Sequence, residues 1–176
     1  IWWRGQAKSK WDLVPGVYRC GRDKDYEQNI CSCFIVKAPA RYPKSCPSLA
    51  EAASWLILMQ HYGLPTRLLD WTESLIIALY FAVLEHDCRP GALWALAPGM
   101  LNMCYIPWVK VPQILNPTID RIQPTCKAAY APVTECIYEA VAVMAPHEDL
   151  RVLAQQSAFT VHGKRTALSK LPNRDK

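Results

Sequence analysis

The chain has 176 residues, of which 51% are hydrophobic and 20% are charged. This composition fits one globular domain with its own core and excludes a disordered chain. The longest apolar run, Leu75 to Leu84, is far shorter than the roughly 20 residues of a membrane-spanning helix, so we expect no membrane insertion. The net charge of +5 comes from scattered side chains, which supports an anionic ligand weakly and nucleic acid more weakly still.

The chain carries eight cysteines, which is many for its length. The one close pair, Cys31 and Cys33, has no second pair nearby, so the spacing is not that of a zinc site and we expect no metal. The first residues include no Met, no basic start and no apolar leader, so we expect no signal peptide. We therefore predict mostly buried thiols in a reducing cytoplasm rather than a disulfide framework.

The first elements in chain order are a short strand and a helix. The stretch IWWRGQ predicts a strand in which Trp2, Arg4 and Gln6 share one face. The following WDLVPGVYR is extended and turns at residues 15–16, where Pro precedes Gly. A helix is then predicted over residues 25–36.

Two central helices are predicted next. Ser48 begins a capping box, SLAE, for a helix that runs to about Tyr62 and stops at Gly63. The second helix is predicted to start near residues 70–72 and to run to about His86. Because apolar residues cover all sides of this second helix, we expect it to be buried all round.

The last part of the chain favours strands. GALWALAP predicts one strand, CIYEAVAVMAP a second, and residues 157–162 a third, while residues 99–132 are punctuated by proline. Helices in the centre with strands early and late indicate an α+β domain rather than an alternating βαβ series.

A group of polar side chains lies directly before the apolar segment. Asp70 or Thr72 can cap the following helix, Glu73 has capping-box spacing from Asp70, and Arg67 can pair with either acid. This interpretation makes the group a helix start. It does not explain three further polar residues of the same turn, which favour a pocket: His61, Tyr62 and Thr66.

Two other segments contain candidate ligand-binding side chains. Arg4 can present its planar fork to a phosphate or carboxylate, and Gly5 can let a ligand approach the main chain. Gln155 and Gln156 precede a predicted strand, and their amides can bind hydroxyl or amide groups but cannot act as general bases. In each case the alternative is an ordinary surface side chain. None of the common hydrolase, phosphate-loop, zinc-protease or dinucleotide motifs occurs in the sequence.

Three segments in this order resemble the FRG domain family. They are WWRGQ at 2–6, with Trp3 in place of Phe, then WLILMQHYGLPTRLLDWTESLIIALYFAV at 55–83, and RVLAQQSAFTVHG at 151–163. The middle segment is the most specific. Members of that family usually have slightly more chain on both sides, so the resemblance implies a single FRG-like domain over residues 1–176, as a fragment lacking a little chain at both ends.

The resemblance implies an ADP-ribosyltransferase-like fold, with a split antiparallel sheet, helices packed against it, and a cleft that holds NAD. Arg4 would hold a phosphate or the ribose of NAD, with Gly5 and Gln6 beside it. Gln155 would take the late-strand position, with Gln156 as the second choice. The resemblance also implies that one turn supplies the cleft wall: His61, Tyr62, Thr66, Arg67 and Asp70.

The residue at the late position limits the implied chemistry. Breaking the nicotinamide–ribose bond builds positive charge on the sugar, which a carboxylate stabilises directly. Gln155 can orient the ribose hydroxyl but supplies only a dipole. Either Asp70 or Glu139 supplies the charge, or catalysis is weak, or the site only binds.

We therefore expect an NAD-dependent ADP-ribosyltransferase or NAD glycohydrolase, with NAD as substrate and Arg4, Gln155 and Asp70 as catalytic residues. Its target would be a protein or nucleic acid, and its role that of a toxin, a defence effector or a regulator. The alternative is a non-catalytic module that keeps the cleft and binds a nucleotide or RNA. A third possibility is that the polar turn has only a structural role.

Overall fold

The structure is a computed structural model, which describes residues 1–19, 22, 25–41, 46–84, 89–135, 137–144 and 156–171. Its strands are β1 (Trp2–Gln6), β2 (Leu68–Thr72), β3 (Ala92–Leu96), β4 (Ala140–Met144) and β5 (Ser157–His162). Its helices are α1 (Tyr26–Arg41), α2 (Ala52–His61), α3 (Leu75–Val83), α4 (Pro98–Tyr105) and α5 (Gln123–Lys127). Short 3₁₀ turns occupy Gly16–Tyr18, Asp120–Ile122 and Leu168–Lys170.

The strands form a five-stranded antiparallel sheet in the order β3-β1-β2-β5-β4. Pairing runs along the strands for β1 with β3, β2 with β5, and β4 with β5. By contrast, the register pair between β1 and β2 in the described part of the chain is Trp3 with Thr72. We call the stretch beyond it, where the two strands are not paired, the opening. The predicted α+β class is confirmed, and the opening lies where the Arg4 side chain leaves β1.

Alternation along the strands supplies a core on each face of the sheet. On one face, Leu68 of β2 packs in a cluster with Trp55 and Met59 of α2. On the other face, Trp71 of β2 packs with Trp2 of β1. Each large apolar side chain buried in this way contributes about 1.5–3 kcal/mol, so both sides of β2 are fixed by packing.

Most elements predicted from local pattern are confirmed. The strands expected from IWWRGQ, from GALWALAP and over 157–162 are β1, β3 and β5, and the expected helix over 25–36 is α1, which extends to Arg41. The strand expected from CIYEAVAVMAP is β4, which begins only at Ala140.

The helix predicted from the capping box is also present, but it begins later. Ser48 lies in the turn before α2, where its N–H donates to the Glu51 carboxylate (3.3 Å). After α2, Gly63 has φ +79°, the left-handed conformation that ends many helices. The predicted stop at Gly63 is therefore confirmed.

The prediction of a helix starting at 70–72 is wrong. Residues 68–72 form β2 because they pair along their length with β5. The helix that follows, α3, is capped by Ser74, whose hydroxyl oxygen accepts a hydrogen bond from the Ile77 N–H (3.4 Å). Its predicted end near His86 lies outside the described residues.

The prediction that this apolar helix is buried all round is also wrong. Ala78 is fully buried, whereas Ile76 is 78% exposed and Tyr80 is 56% exposed. The reason is that α3 packs on β1 along one narrow stripe, where Gly5 meets the carbonyl oxygen of Ala78. The remaining apolar faces of the helix point away from the sheet.

The proline-rich stretch at 99–132 contains helices that the sequence did not predict. Pro98 and Pro124 lie in the first turns of α4 and α5, where the missing N–H of proline is tolerated. Asn102 of α4 hydrogen-bonds both the N–H (2.7 Å) and the carbonyl (2.8 Å) of Ala142 in β4. This contact satisfies main-chain groups on an edge strand.

Cysteine burial follows the prediction only in part. Among the described residues, Cys31 and Cys126 are buried, Cys33 is exposed, and Cys46 and Cys104 are half-buried; all are free thiols. Burial raises the pKa of Cys31 and of Cys126 to about 12, so these two thiols are unreactive near neutral pH. Within the described ranges, no helix has the length and apolar character needed to cross a membrane.

Candidate functional site

Arg4 bridges the opening between β1 and β2. Its Nη1 donates a hydrogen bond to the main-chain carbonyl oxygen of Asp70 (2.6 Å) and lies 3.9 Å from the Asp70 Oδ2. Because Trp3 pairs with Thr72, the alternation of side chains along the strands places those of Arg4 and Asp70 on opposite faces of the sheet. The Arg4 guanidinium therefore contacts the main chain of Asp70. The structure thus brings together Arg4 and Asp70, both of them predicted site residues.

The guanidinium of Arg4 is only partly satisfied. The side chain is 15% exposed, and its Nε is buried with no hydrogen-bond partner among the described residues. Burial lowers the pKa of Arg4, the charge of Asp70 opposes that shift, and the charge of Arg19 adds to it. An arginine nonetheless stays cationic. A buried, unpaired polar group costs about 1–3 kcal/mol, and an anionic ligand would relieve that cost.

Asp70 is held by Gln60, a residue that the sequence analysis missed. The Gln60 Nε2 donates to both carboxylate oxygens at 3.0 Å, and its Oε1 accepts from the Thr66 hydroxyl at 2.6 Å. The Thr66 Oγ1 in turn accepts from the Leu68 N–H (3.1 Å). This relay directs the NH₂ end of the Gln60 amide toward Asp70. The Asp70 side chain is 53% exposed, so a positioned carboxylate faces solvent.

A small cavity of about 200 Å³ lies beside this carboxylate. Pockets for whole drug-sized ligands are roughly 300–1,000 Å³, so this cavity suits a fragment such as a ribose or a phosphate. Its polar walls are Arg19, Gln60 and Asp70. The remaining wall is main chain and apolar side chains: Gly16, Gly63, Leu64, Pro65, Leu68 and Leu69.

Arg67 lies in a different place from the one predicted. Instead of pairing with Asp70 or Glu73, it forms two hydrogen bonds of 2.8 Å with the Glu27 carboxylate of α1 and a third of 2.8 Å with the Thr125 carbonyl. Burial is the largest single influence and disfavours its charge, but the hydrogen bonds to Glu27 and the charges of neighbouring groups together outweigh burial, so the pKa of Arg67 is raised. Arg67 therefore faces the core and ties β2 to α1 and α5, rather than forming the cavity wall.

The other residues of the polar turn divide between two places. Thr66 is buried and reaches Asp70 through Gln60. The rings of His61 and Tyr62 meet edge to face at 5.1 Å, and Tyr62 also lies 6.1 Å from Phe34 of α1. Tyr62 thus lines a neighbouring groove against α1 and not the small cavity.

The residues beside Arg4 have packing roles. A Cβ on Gly5 would collide with the carbonyl oxygen of Ala78, so the expected ligand approach to Gly5 is blocked on that side by α3. Gln6 is 5% exposed, and its Oε1 accepts from the Trp94 Nε1 (2.8 Å). Gly5 therefore admits α3, and Gln6 joins β1 to β3.

The late segment approaches the same end of the sheet. Gln155 lies outside the described residues, so its role stays a prediction. The exposed Gln156 has φ +46°, and its carbonyl accepts a hydrogen bond from the Glu73 N–H (3.1 Å). Ser157 pairs with Thr72, the same residue that pairs with β1. The start of β5 therefore lies where β1 and β2 meet.

Glu139, the second candidate carboxylate, lies far from Arg4. It precedes β4, which is the edge strand two positions from β2, and it forms an ion pair with Lys164. Neighbouring strands are about 4.8 Å apart, so Glu139 cannot reach the opening beside β1. Among the described residues, Asp70 is the carboxylate in the cavity wall.

A buried histidine lies behind the site. The Trp71 Nε1 donates to the Thr160 hydroxyl (3.1 Å), and that hydroxyl lies 3.1 Å from the His162 Nε2. Burial lowers the pKa of His162 to about 4, and the charges of Arg67 and Arg4 push it the same way. His162 is therefore neutral at pH 7 and belongs to the core.

Comparison with known proteins gives one match. A family model described as FRG domain matches residues 1–89, which include Arg4, Gln60 and Asp70. No curated protein and no solved structure matches the chain. Within the described ranges, there is no group of three or more His, Cys, Asp or Glu side chains that could hold a metal ion.

Proposed function

The chain belongs to the FRG domain family, and from this premise we propose that it binds NAD beside Arg4 and Asp70 and breaks the nicotinamide–ribose bond. The product ADP-ribose passes either to a macromolecular target or to water. One observation carries the proposal: a largely buried cation, whose Nε has no partner among the described residues, lies beside an exposed carboxylate that Gln60 holds in place.

The chemistry assigns each of these groups a role. A guanidinium binds a phosphate through paired hydrogen bonds, so Arg4 holds the diphosphate. When the bond between the ribose C1′ and the nicotinamide nitrogen breaks, its electron pair goes to the ring nitrogen and positive charge develops on the sugar. The carboxylate of Asp70 stabilises that charge. The nucleophile then bonds to C1′ and loses its proton, and Gln155 keeps its predicted role of orienting a ribose hydroxyl.

The fold and biological setting belong to the same proposal. The opening between β1 and β2 supports an ADP-ribosyltransferase-like arrangement of the α+β sheet. A reducing cytoplasmic location, a protein or nucleic-acid target, and a role as a toxin, defence effector or regulator remain predictions.

The direct test is release of nicotinamide from labelled NAD by the purified chain, alone and with a cell lysate that supplies targets. We expect turnover in the wild type and a large loss in Arg4→Ala and Asp70→Asn. Lys110 is exposed and does not line the cavity, so Lys110→Ala is the matched control and should keep the wild-type rate. Absence of both released nicotinamide and modified target would contradict the proposed reaction.

A second candidate function is a module that binds nucleotides or RNA without catalysis. It is favoured because Asp70 is the one carboxylate in the cavity wall among the described residues, and Glu139 is paired with Lys164 at the far edge of the sheet. Calorimetry with NAD and ADP-ribose separates the two candidates. Binding of both ligands without nicotinamide release supports the module, and binding of neither excludes NAD as the ligand of either candidate.

A further inference from the structure

A second, larger groove lies between α1 and the turn that follows α2. Its volume is about 530 Å³, within the roughly 300–1,000 Å³ of small-molecule sites. The groove and the small cavity beside Asp70 share only the main-chain turn at 63–65. Neither Arg4 nor Asp70 lines the groove, so it is a separate site.

Aromatic and aliphatic side chains form most of its wall. Phe34 and Tyr62 both line it and contact each other, with ring centroids 6.1 Å apart and planes inclined by 41°. Phe34 is also packed edge to face on the buried Trp55 at 6.4 Å, which fixes its ring. Tyr26 and Ile30 continue the wall along α1. Fixed rings of this kind are stacking surfaces for a planar group.

The charged residues of the groove are cations. Lys37 and Arg41 line it, and no acidic residue of the described part of the chain does. They are exposed, lie four residues apart on one side of α1, and form no ion pair within the described ranges. They follow Phe34 by about one and two helical turns. The groove therefore combines a stacking wall at one end with unpaired positive charge at the other.

We propose that this groove binds a nucleoside phosphate, with its base against Phe34 and Tyr62 and its phosphate at Lys37 and Arg41. An aromatic wall takes any base, and the cations supply charge-assisted hydrogen bonds to phosphate oxygens. The ligand is a free mononucleotide or one nucleotide of a single strand, since both present the same chemistry. The site does not depend on the proposed cleavage of NAD.

The test is calorimetric titration with AMP, with adenosine, and with a short single-stranded oligoadenylate. We expect AMP or the oligoadenylate to bind and adenosine to bind at least about tenfold more weakly, because a hydrogen bond to a charged group is worth about 1.5–3 kcal/mol. Binding of AMP assigns a free nucleotide, and binding of the oligoadenylate alone assigns a strand.

Variants then locate the binding. The double reversal Lys37→Glu with Arg41→Glu should weaken binding at least about tenfold, and Lys110→Glu is the matched reversal outside the groove. Cys33 is exposed and lines the groove, so Cys33→Trp should fill it and abolish binding without touching the core. Circular dichroism confirms that each variant is folded.

One further variant separates this proposal from the proposed function. In Arg4→Ala the binding of AMP or oligoadenylate to the groove should persist, although NAD turnover is lost. The proposal is overturned if neither phosphate ligand binds the wild type, if both groove variants leave binding unchanged, or if Arg4→Ala alone removes it.

Discussion

Of two arginines near β2, Arg67 is buried and Arg4 is largely buried, yet their surroundings differ in kind. Arg67 is 5% exposed and forms a double hydrogen bond with Glu27, itself 12% exposed, together with a bond to a carbonyl. Arg4 is 15% exposed, its hydrogen bond goes to a main-chain carbonyl, and its Nε has no partner among the described residues. The hydrogen-bonding groups of Arg67 are satisfied within the fold, whereas those of Arg4 are only partly satisfied.

The difference shows that membership of a specific sequence motif does not by itself identify the arginine that binds a ligand. Arg67 belongs to the most specific family motif, but its donors are used by α1 and α5, so its role is structural. Arg4 lies on a short strand with no strong local signal, and it retains donor capacity beside an exposed carboxylate. A ligand can form new hydrogen bonds only with protein donors and acceptors that are not already used within the fold.

Breaking the ion pair between Arg67 and Glu27 should have the largest effect on stability. We expect Arg67→Ala to lower the free energy of unfolding by about 3–5 kcal/mol, because it leaves the Glu27 carboxylate buried without its partner. Denaturant unfolding measures the loss, and Lys110→Ala should change stability by no more than about 0.5 kcal/mol. A loss under about 1 kcal/mol in Arg67→Ala would contradict the structural assignment.

The next effect is a pH dependence that originates at His162, whose pKa the two arginines help to lower. The pKa of His162 is about 4 in the folded state, against about 6.5 when unfolded. The unfolded chain therefore binds the proton first, and stability falls as the pH drops from about 6.5 to 4, by about 3 kcal/mol.

His162→Gln removes this titration and isolates it from the carboxylates. We expect its unfolding free energy to change less between pH 6.5 and 4 than that of the wild type, measured by denaturant titration at each pH. Equal slopes in the two proteins would show that His162 is not held neutral by burial.

A smaller effect is expected at the relay that positions Asp70. Gln60→Ala removes hydrogen bonds to Asp70 and Thr66 and should cost about 1 kcal/mol of stability, while weakening NAD affinity because the carboxylate loses its orientation. Gln28, exposed on α1, provides the control variant Gln28→Ala. Unchanged NAD affinity in Gln60→Ala, with the same stability loss, would limit Gln60 to a structural role.

The smallest effect on stability should come from Arg4, whose hydrogen bonding is only partly satisfied. Arg4→Met exchanges one hydrogen bond and an unsatisfied buried Nε for an apolar chain of similar length, so we expect a change within about 1 kcal/mol. Thermal or denaturant unfolding measures it beside Arg67→Ala. A destabilisation as large as that of Arg67→Ala would remove the contrast between the two arginines.

The sequence predicted those elements whose pattern is local. β1 and β5 were identified because aromatic and β-branched residues recur over a short span, and the stop at Gly63 follows from glycine alone. The pattern of LLDWT does not predict β2, because it has no alternation; pairing with the distant β5 decides its structure. Periodicity also could not show that only one stripe of α3 packs on β1.

The site was predictable to a similar extent. Residue type alone identifies Arg4 and Asp70 as candidates, and the structure places them side by side. The partner of Arg67 is Glu27, 40 residues away, and no local pattern reveals such a pair. Gln60 was missed because a neutral amide on an apolar helix has no motif. Its one signal is its place in the last turn of α2, directly before the polar turn.

The measurement that tests the central claim most directly is calorimetric titration of NAD into the wild type and Arg4→Met. Loss of a charge-assisted hydrogen bond is worth about 1.5–3 kcal/mol, so we predict that Arg4→Met binds NAD at least about tenfold more weakly while remaining as stable as the wild type. Equal affinity of the two proteins, or no binding of NAD to the wild type, would contradict the claim that the incompletely bonded arginine marks the ligand site.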